Sequence, residues 1–250
     1  MNPPAYDDRP MAPGTLHIIP VTGIGEMLPG DDVAAAILQA VATDVDGGEG
    51  PALLDGDVIV VTHKIISKAE GRLADAPDDE AYRAIVEGEA ASVIRRRGPV
   101  VITITRHGFV CANAGVDRSN VEEGRAVLLP IDPDRSAHRI RTRLERVTRL
   151  RLAVVVTDTF GRPWRRGLTD VAIGVSGIDP ILDHRGTVDT HGRILDVTEV
   201  AVVDEIAAAA DLVMGKATGV PVAVVRGLDW SPGEGRATDL VRHPAEDLFR

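Results

Sequence analysis

The chain has 250 residues, of which 44% are hydrophobic, and a formal net charge of −10. This length and composition allow a sizeable core, as one large domain or two closely joined lobes. The negative charge argues against a nucleic-acid or membrane-surface binder, because both of those partners are polyanionic. A single cysteine, Cys111, excludes an internal disulfide and a multi-cysteine metal site, as is typical of a soluble cytoplasmic protein. We expect Cys111 to be a small buried residue that packs in the core.

Residues 1–14 contain four prolines and no apolar core, so we expect a flexible tail rather than a signal peptide. Residues 15–250 then form one domain. No apolar run is long enough to span a bilayer, and the glycine-rich stretches at 46–50 and 174–192 predict surface connections.

Strands and helices are predicted from runs of β-branched residues and from helical periodicity. The predicted strands are 16–20, 57–62, 100–105, 109–112, 126–131, 152–157, 171–175 and 221–226. The predicted helices are one capped by Asp31 and Asp32 and reaching about Val45, one with an apolar face from Tyr82 through Val93 and Ile94, one containing Ile140, Leu144 and Val147, and one over 199–214. The strands at 100–105 and 109–112 are too close for a crossover helix, which predicts a hairpin. We therefore predict an α+β fold with mixed, largely antiparallel sheets and packed helices.

Lysine is rare in this chain. Only three of the 28 basic residues are lysines: Lys64 and Lys68 are four residues apart, and Lys216 follows a glycine. A lysine retained in an arginine-rich chain suggests a need for a compact ammonium, for example at phosphate. The alternative is codon bias, which would leave a few lysines at random positions.

Two carboxylates at the ends of apolar elements are candidate metal ligands. Asp158 follows the predicted strand 152–157 and is flanked by Thr157 and Thr159, so it can supply oxygen ligands for Mg²⁺ or Mn²⁺. Its alternative role is to accept backbone hydrogen bonds in a turn. Asp117 lies in a loop of small and amide residues that ends at Asn120, which suits an anion and a cation together. The alternative there is a helix start with a capping box at Ser119 and Glu122.

Three arginines follow Asp158 closely. Arg162, Arg165 and Arg166 surround Pro163 and Trp164, a grouping suited to an anionic, partly aromatic substrate or simply to a solvated charged face. A dinucleotide fingerprint is excluded because Gly23 and Gly25 have no third glycine at the required spacing. The sequence also has no Gly-Lys-Ser/Thr phosphate loop.

Five segments in unbroken order resemble the coenzyme F-420:L-glutamate ligase family. They are PVTGI (20–24), GDVIVVTHKIISKAEG (56–71), AGVDRSN (114–120), TDTFGRPWRRG (157–167) and TEVAVVDE (198–205). The resemblance covers about 16–230. It implies a GTP-dependent ligase that adds L-glutamate to the unglutamylated precursor of coenzyme F-420 through an acyl phosphate and then extends a gamma-linked tail. It also implies two divalent cations per site, Mg²⁺ or Mn²⁺, with K⁺ as activator, and an α+β fold in an intertwined homodimer.

The resemblance assigns roles by motif position. Nucleotide contacts would come from Ile24, Gly25, Glu26, Met27, His63, Lys64, Lys68, Asn120, Met214, Gly215, Lys216, Ala217, Thr218, Gly219, Val220 and Pro221. Asp117 and Asp158 would bind one metal and Thr159 the second, while Lys68, Asp158 and Arg162 would act in catalysis. Lys216 departs from the family pattern, since archaeal members carry a glutamine metal ligand there. An ammonium cannot coordinate a cation, so we expect Lys216 to contact phosphate, which leaves the ligands of the second metal open.

Several alternatives remain at this level. No residue discriminates guanine from adenine by its spacing, so the preference for GTP follows from the resemblance alone. The chain fits either a stand-alone ligase or the N-terminal half of a bifunctional form. Two rival functions are a kinase of a small carboxylate and a nucleotide-binding module without catalysis.

Overall fold

The structure is a computed structural model that describes residues 14–42 and 52–247. Nearly all of the predicted tail, the stretch at 46–50 and the end of the first predicted helix lie outside these residues. The strands are β1 His17–Val21, β2 Val58–Thr62, β3 Leu73–Asp75, β4 Ala90–Arg97, β5 Val100–Thr105, β6 Val110–Ala112, β7 Arg125–Val127, β8 Ala153–Arg162, β9 Arg165–Ser176, β10 Leu182–Asp183, β11 Glu199–Val200 and β12 Val222–Arg226. The α-helices are α1 Val33–Ala42, α2 His63–Ala69, α3 Asp79–Glu89, α4 Pro133–Thr148 and α5 Val202–Met214. None of these helices combines the length and apolar character needed to cross a membrane.

The central sheet has five strands in the order β1-β12-β2-β8-β9. Only the β2–β8 pair is parallel among the described strands, and all the other pairs are antiparallel. Residues 58–61 of β2 and 153–156 of β8 are fully buried, as expected for interior strands covered on both faces. The predicted α+β class with largely antiparallel sheets is therefore confirmed.

Helices cover this sheet and complete the main core. α4 packs on β8 and β9 through buried Ile140 and Leu144, and α5 packs on β9. Asp32 caps α1 as predicted, since its Oδ1 accepts the Ala35 N–H at 3.0 Å. α4 approaches β9 closely at Gly174, where a Cβ would lie 2.5 Å from the backbone carbonyl oxygen of Pro133.

Three small sheets lie outside the central sheet: β3-β7, β4-β5-β6 and β10-β11. The predicted hairpin is the antiparallel β5–β6 pair. A second hydrophobic cluster beneath α3 consists of Ala76, Val86, Ala114, Val116, Ala126 and Leu128. Cys111 in β6 is buried, as expected for filler.

Some predicted boundaries are wrong because long-range pairing overrides the local pattern. The second helix ends at Glu89, and Val93 and Ile94 lie in β4, which pairs with β5. Gly174 lies inside β9 rather than on a surface connection. The strand predicted at 152–157 continues to residue 162, so Asp158 lies within the β8–β9 hairpin instead of following a strand.

Candidate functional site

The site is positioned by the one parallel strand pair. β2 and β8 run side by side and their pairing ends at Thr62 and Thr157. The next residues, His63 at the start of α2 and Asp158 in β8, therefore emerge at the same end of the sheet. Ligands bind at the carboxyl ends of parallel strands because the chain there turns away and leaves polar groups exposed.

A cavity of about 330 Å³ opens at this end. Its lining residues are Ile24, Gly25, Glu26, Thr62, Lys64, Ile65, Lys68, Asn120, Asp158, Thr159, Asp170, Asp211, Met214, Gly215, Lys216, Gly219, Val220 and Pro221. All three lysines of the chain thus line one cavity, although they come from α2 and from the turn after α5. The cavity size falls in the range of small-molecule sites, roughly 300–1,000 Å³.

Lys64 connects the cavity to the Asp117 loop. Its Nζ lies 2.8 Å from Asp117 Oδ2 and donates a hydrogen bond to Ser119 Oγ at 3.1 Å. Asp117 also accepts the Ser119 N–H and hydroxyl, both at 2.7 Å, so the loop forms a local turn and no helix begins at Ser119. Burial opposes ionisation of Asp117, but these hydrogen bonds from Lys64 and Ser119 outweigh it and hold its pKa below the usual range.

Lys68 is buried although it carries a charge. Only 7% of the residue is exposed, and its Nζ lies 2.5 Å from Glu26 Oε1 in the segment after β1. The carboxylate of Glu26 is itself largely exposed, so it can move away when an anionic ligand enters. Lys68 is therefore a buried cation whose partner is replaceable.

Asp158 has one carboxylate oxygen available to a ligand. Its Oδ1 accepts the Thr159 N–H at 2.7 Å and lies 3.3 Å from His63 Nε2, whereas no described residue donates a hydrogen bond to Oδ2. His63 is fully buried behind the cavity, and its Nδ1 lies 3.2 Å from Ser67 Oγ. Its Nε2 has no hydrogen-bond partner among the described residues, because the contact with Asp158 is poorly aligned. His63 thus lies against Asp158 rather than on the cavity surface.

Two carboxylates of the site were missed by the sequence analysis. Asp170 in β9 pairs in register with Thr159, and it accepts hydrogen bonds from the hydroxyls of Thr159 at 2.5 Å and Thr157 at 3.1 Å. Asp211 lies in the last turn of α5. The available signal was an acidic residue within an otherwise apolar strand or helix face, since a buried charge requires a partner.

Other predicted residues lie outside the cavity lining. Met27 is buried, and Ala217 and Thr218 form the exposed turn after α5. Arg162 lies at the exposed tip of the β8–β9 hairpin, beside Trp164, which is 79% exposed. Arg162 is separated from Asp158 by three strand residues and does not line the cavity.

The donor chemistry fits one divalent cation at Asp158. Its free Oδ2 is a hard oxygen donor on the cavity wall, and Asp117 is linked to the same wall through Lys64. Among residues 14–42 and 52–247, no three His, Cys, Asp or Glu side chains form a ready-made metal cluster. Mg²⁺ is commonly held by one or two carboxylates together with substrate phosphates and water. The fit is poorer at the predicted second site, because the Thr159 hydroxyl is already hydrogen-bonded to Lys216.

A larger cavity, of about 730 Å³, lies on the other side of α2. Its charged groups mostly neutralise one another, since Arg139 pairs with Glu70 at 2.5 Å and Arg143 pairs with Asp32 at 2.6 Å. We place the functional site in the smaller cavity, where the lysines and the available Asp158 oxygen converge.

A polar cavity with three ammonium groups beside carboxylates defines a site for anionic, phosphate-like ligands in an α+β protein. Comparison with known proteins makes this class specific. The family model described as F420-0:gamma-glutamyl ligase matches residues 23–227, and the chain belongs to this family.

Several curated relatives carry one name, coenzyme F420:L-glutamate ligase. The protein of Methanothermobacter thermautotrophicus is 44% identical, covering 94% of this chain and 99% of its own length. That of Methanocaldococcus jannaschii is 42% identical over 78% of this chain and 85% of its own length, and that of Methanopyrus kandleri is 39% identical over 94% and 98%. The similarity to the Methanothermobacter and Methanopyrus proteins therefore extends over nearly the whole of both chains.

Proposed function

We propose that this protein is a GTP-dependent ligase that adds L-glutamate to the unglutamylated precursor of coenzyme F-420 and then extends a gamma-linked glutamate tail. The observation that carries the proposal is the convergence of all three lysines and Asp158 on one cavity, in a chain of this ligase family. The names of the relatives support the choice of coenzyme F-420 as the acceptor and of L-glutamate as the amine that is added.

The chemistry requires activation of a carboxylate, which is a poor acyl donor. Transfer of the terminal phosphoryl group of GTP to the precursor's carboxylate gives an acyl phosphate and GDP. Attack by the glutamate amine then forms the amide and releases phosphate and a proton. A bound Mg²⁺ or Mn²⁺ supplies charge neutralisation for the transferred phosphoryl group.

The side chains of this protein bind and orient the anionic groups. The ammonium of Lys68 is buried and paired with the exposed carboxylate of Glu26, and it would contact a phosphate oxygen when Glu26 moves away. Lys64 would hold the Asp117 loop and its neighbour Asn120 against the nucleotide. Asp158 would hold the divalent cation through its free oxygen.

Further assignments follow from the same proposal. K⁺ would act as an activator, and the protein would work in the cytoplasm. Arg162 and the neighbouring arginines at the exposed hairpin tip would face the carboxylates or phosphodiester of the precursor. A homodimer would cover the exposed apolar side chains of Val93, Ile94 and Val100 on the small three-stranded sheet, and light scattering that gives a monomer at micromolar protein would contradict it.

The direct test is mass spectrometry of the protein incubated with the unglutamylated precursor, L-glutamate, GTP, K⁺ and Mn²⁺. Glutamyl mass increments that require both glutamate and Mn²⁺ are expected. GTP consumption without glutamate, with a phosphorylated product, would indicate the kinase instead. Nucleotide binding without any turnover would indicate the non-catalytic nucleotide-binding module. Replacing GTP by ATP in the same assay tests whether the protein prefers guanine to adenine.

The Asp158→Asn variant tests the metal assignment. Loss of the charged ligand should lower the rate of glutamate addition by about 100-fold or more, which corresponds to roughly 2.7 kcal/mol of transition-state stabilisation. Asp75→Asn is a matched control, because the Asp75 side chain is 88% exposed on β3 and does not line the cavity. A rate for Asp158→Asn equal to that of Asp75→Asn contradicts the assignment.

A further inference from the structure

The ammonium of Lys216 is surrounded by three side-chain oxygen atoms. Its Nζ donates hydrogen bonds to Thr159 Oγ1 and, at 3.0 Å, to Asp170 Oδ1, and it lies 3.5 Å from Asp211 Oδ1. Two of the oxygens come from the β8–β9 hairpin and the third comes from α5, which lies much later in the chain. An ammonium has three donors and no acceptor, and Lys216 uses two of them for the hydrogen bonds to Thr159 and Asp170.

Asp170 needs a neutralising charge at this position. The residue is only 5% exposed, and its hydroxyl partners, Thr157 and Thr159, carry no charge. A carboxylate removed from water is strongly destabilised unless a cation accompanies it. In the part of the chain that the structure describes, Lys216 is the one cationic side chain that contacts Asp170 or Asp211.

The same three oxygens would suit a divalent cation. Carboxylates and a hydroxyl are the ligands that Mg²⁺ and Mn²⁺ prefer. The Lys216 ammonium already lies beside these three oxygens. A divalent cation bound to the same oxygens would be in contact with the ammonium and repelled by its charge. Asp211 Oδ1 is buried and has no hydrogen-bond partner among the described residues, although it lies 3.5 Å from Lys216 Nζ. This free oxygen is available to an ion that replaces the ammonium.

We propose that the Lys216 ammonium is a built-in cation that takes the place of one divalent ion at Thr159, Asp170 and Asp211, so that the protein recruits a single divalent cation, at Asp158. The inference deepens the proposed function and rests on it for its catalytic meaning. The site would keep the positive charge that phosphoryl transfer requires while depending on one dissolved metal ion instead of two.

The test counts bound Mn²⁺ on the full chain by electron paramagnetic resonance, with Mn²⁺ and inorganic triphosphate as the only additions. Lys216→Gln and Lys216→Ala should each bind one more Mn²⁺ per chain than the unaltered protein. The alanine variant shows whether the carboxylates suffice without an added amide oxygen. Because Lys216 is about half exposed on a turn, both variants are expected to fold, and circular dichroism checks this.

Arg185→Gln is the matched control. Arg185 also bridges two carboxylates, Asp183 at 2.7 Å and Glu199 at 3.1 Å, but on the β10–β11 surface away from the cavity. Its Mn²⁺ count should equal that of the unaltered protein. Equal counts in the Lys216 variants and the unaltered protein, or the same gain in Arg185→Gln, overturn the inference. The count uses neither precursor nor glutamate, so failure of glutamate addition would overturn the proposed function and leave this result standing.

Discussion

Replacement of Asp170 by asparagine tests whether the buried carboxylate organises the site. Oδ1 accepts hydrogen bonds from Thr159 and Lys216, and Oδ2 accepts one from Thr157, which is fully buried. Asparagine keeps one acceptor oxygen and places a donor where the other oxygen was. One of the two threonine hydroxyls then loses its acceptor, and Lys216 loses its charged partner at residue 170.

The expected loss of stability is about 2 kcal/mol. A hydrogen bond to a charged group contributes roughly 1.5–3 kcal/mol, and the lower part of that range applies because Lys216 is half exposed and can be rehydrated. For a chain of this size, 1 kcal/mol corresponds to a shift of roughly 2–4 °C in the melting temperature. Asp170→Asn should therefore melt about 4–8 °C below the unaltered protein, as measured by far-ultraviolet circular dichroism.

Asp211→Asn makes the same chemical change beside the same lysine and serves as the control. Asp211 is 3.5 Å from Lys216 and receives no hydrogen bond from it, so its replacement should cost less than about 1 kcal/mol, because no hydrogen bond is lost and Lys216 is half exposed to water. An unchanged melting temperature for Asp170→Asn, or an equal fall in both variants, would refute the reasoning that the Asp170 hydrogen bonds hold these elements together.

Two further predictions concern packing and thiol chemistry. Gly174→Ala should lower the free energy of unfolding in urea by about 3 kcal/mol or more, because the added Cβ would lie 2.5 Å from the backbone of α4. Gly88→Ala is the control: this glycine lies in α3 with open space around it, so the change should be neutral or stabilising by up to about 1 kcal/mol. A similar loss of stability in both variants would contradict the close approach of α4 to Gly174. Burial, and next the negative charge of Asp158, raise the pKa of Cys111 from 9.0 to about 12, so a disulfide reagent at about pH 8 should label it only after denaturation. Because the pKa of Cys111 is higher in the folded state, the protonated thiol contributes stability fully below pH 9.0, and this contribution is lost as the pH rises towards 12. Rapid labelling of the native protein at about pH 8 would contradict the burial of the thiol.

Local sequence predicted the interior of the fold well. β2, β5, β8 and β12 were located because continuous β-branched runs have few alternatives to a buried strand. The N-terminus of α1 was located because Asp32 satisfies a free backbone N–H there. These features depend on neighbours within a few residues.

Pairing between distant segments decided what the local pattern did not. Val93 and Ile94 continue a helical periodicity, yet they lie in β4 because β5 supplies a partner with complementary backbone hydrogen bonds. The short strand β3 was not predicted, because three residues are too few to be recognised alone, and it forms only by pairing with β7 about fifty residues away. β7 overlaps the strand predicted at 126–131 but ends at Val127. β-propensity is a weak local signal for such segments, because cross-strand contacts determine it.

The sequence by itself determined the chemical groups of the site: three rare lysines, Asp158 between two threonines, and family motifs in order. Only the tertiary structure decided that Lys216 pairs with Asp170 and Asp211, and that His63 is buried behind Asp158 instead of lining the cavity. The reason is physical. Residue types follow from the chain, whereas the partner of a charge follows from which strands and helices pack together, and a buried carboxylate interacts with whichever cation that packing brings within about 4 Å.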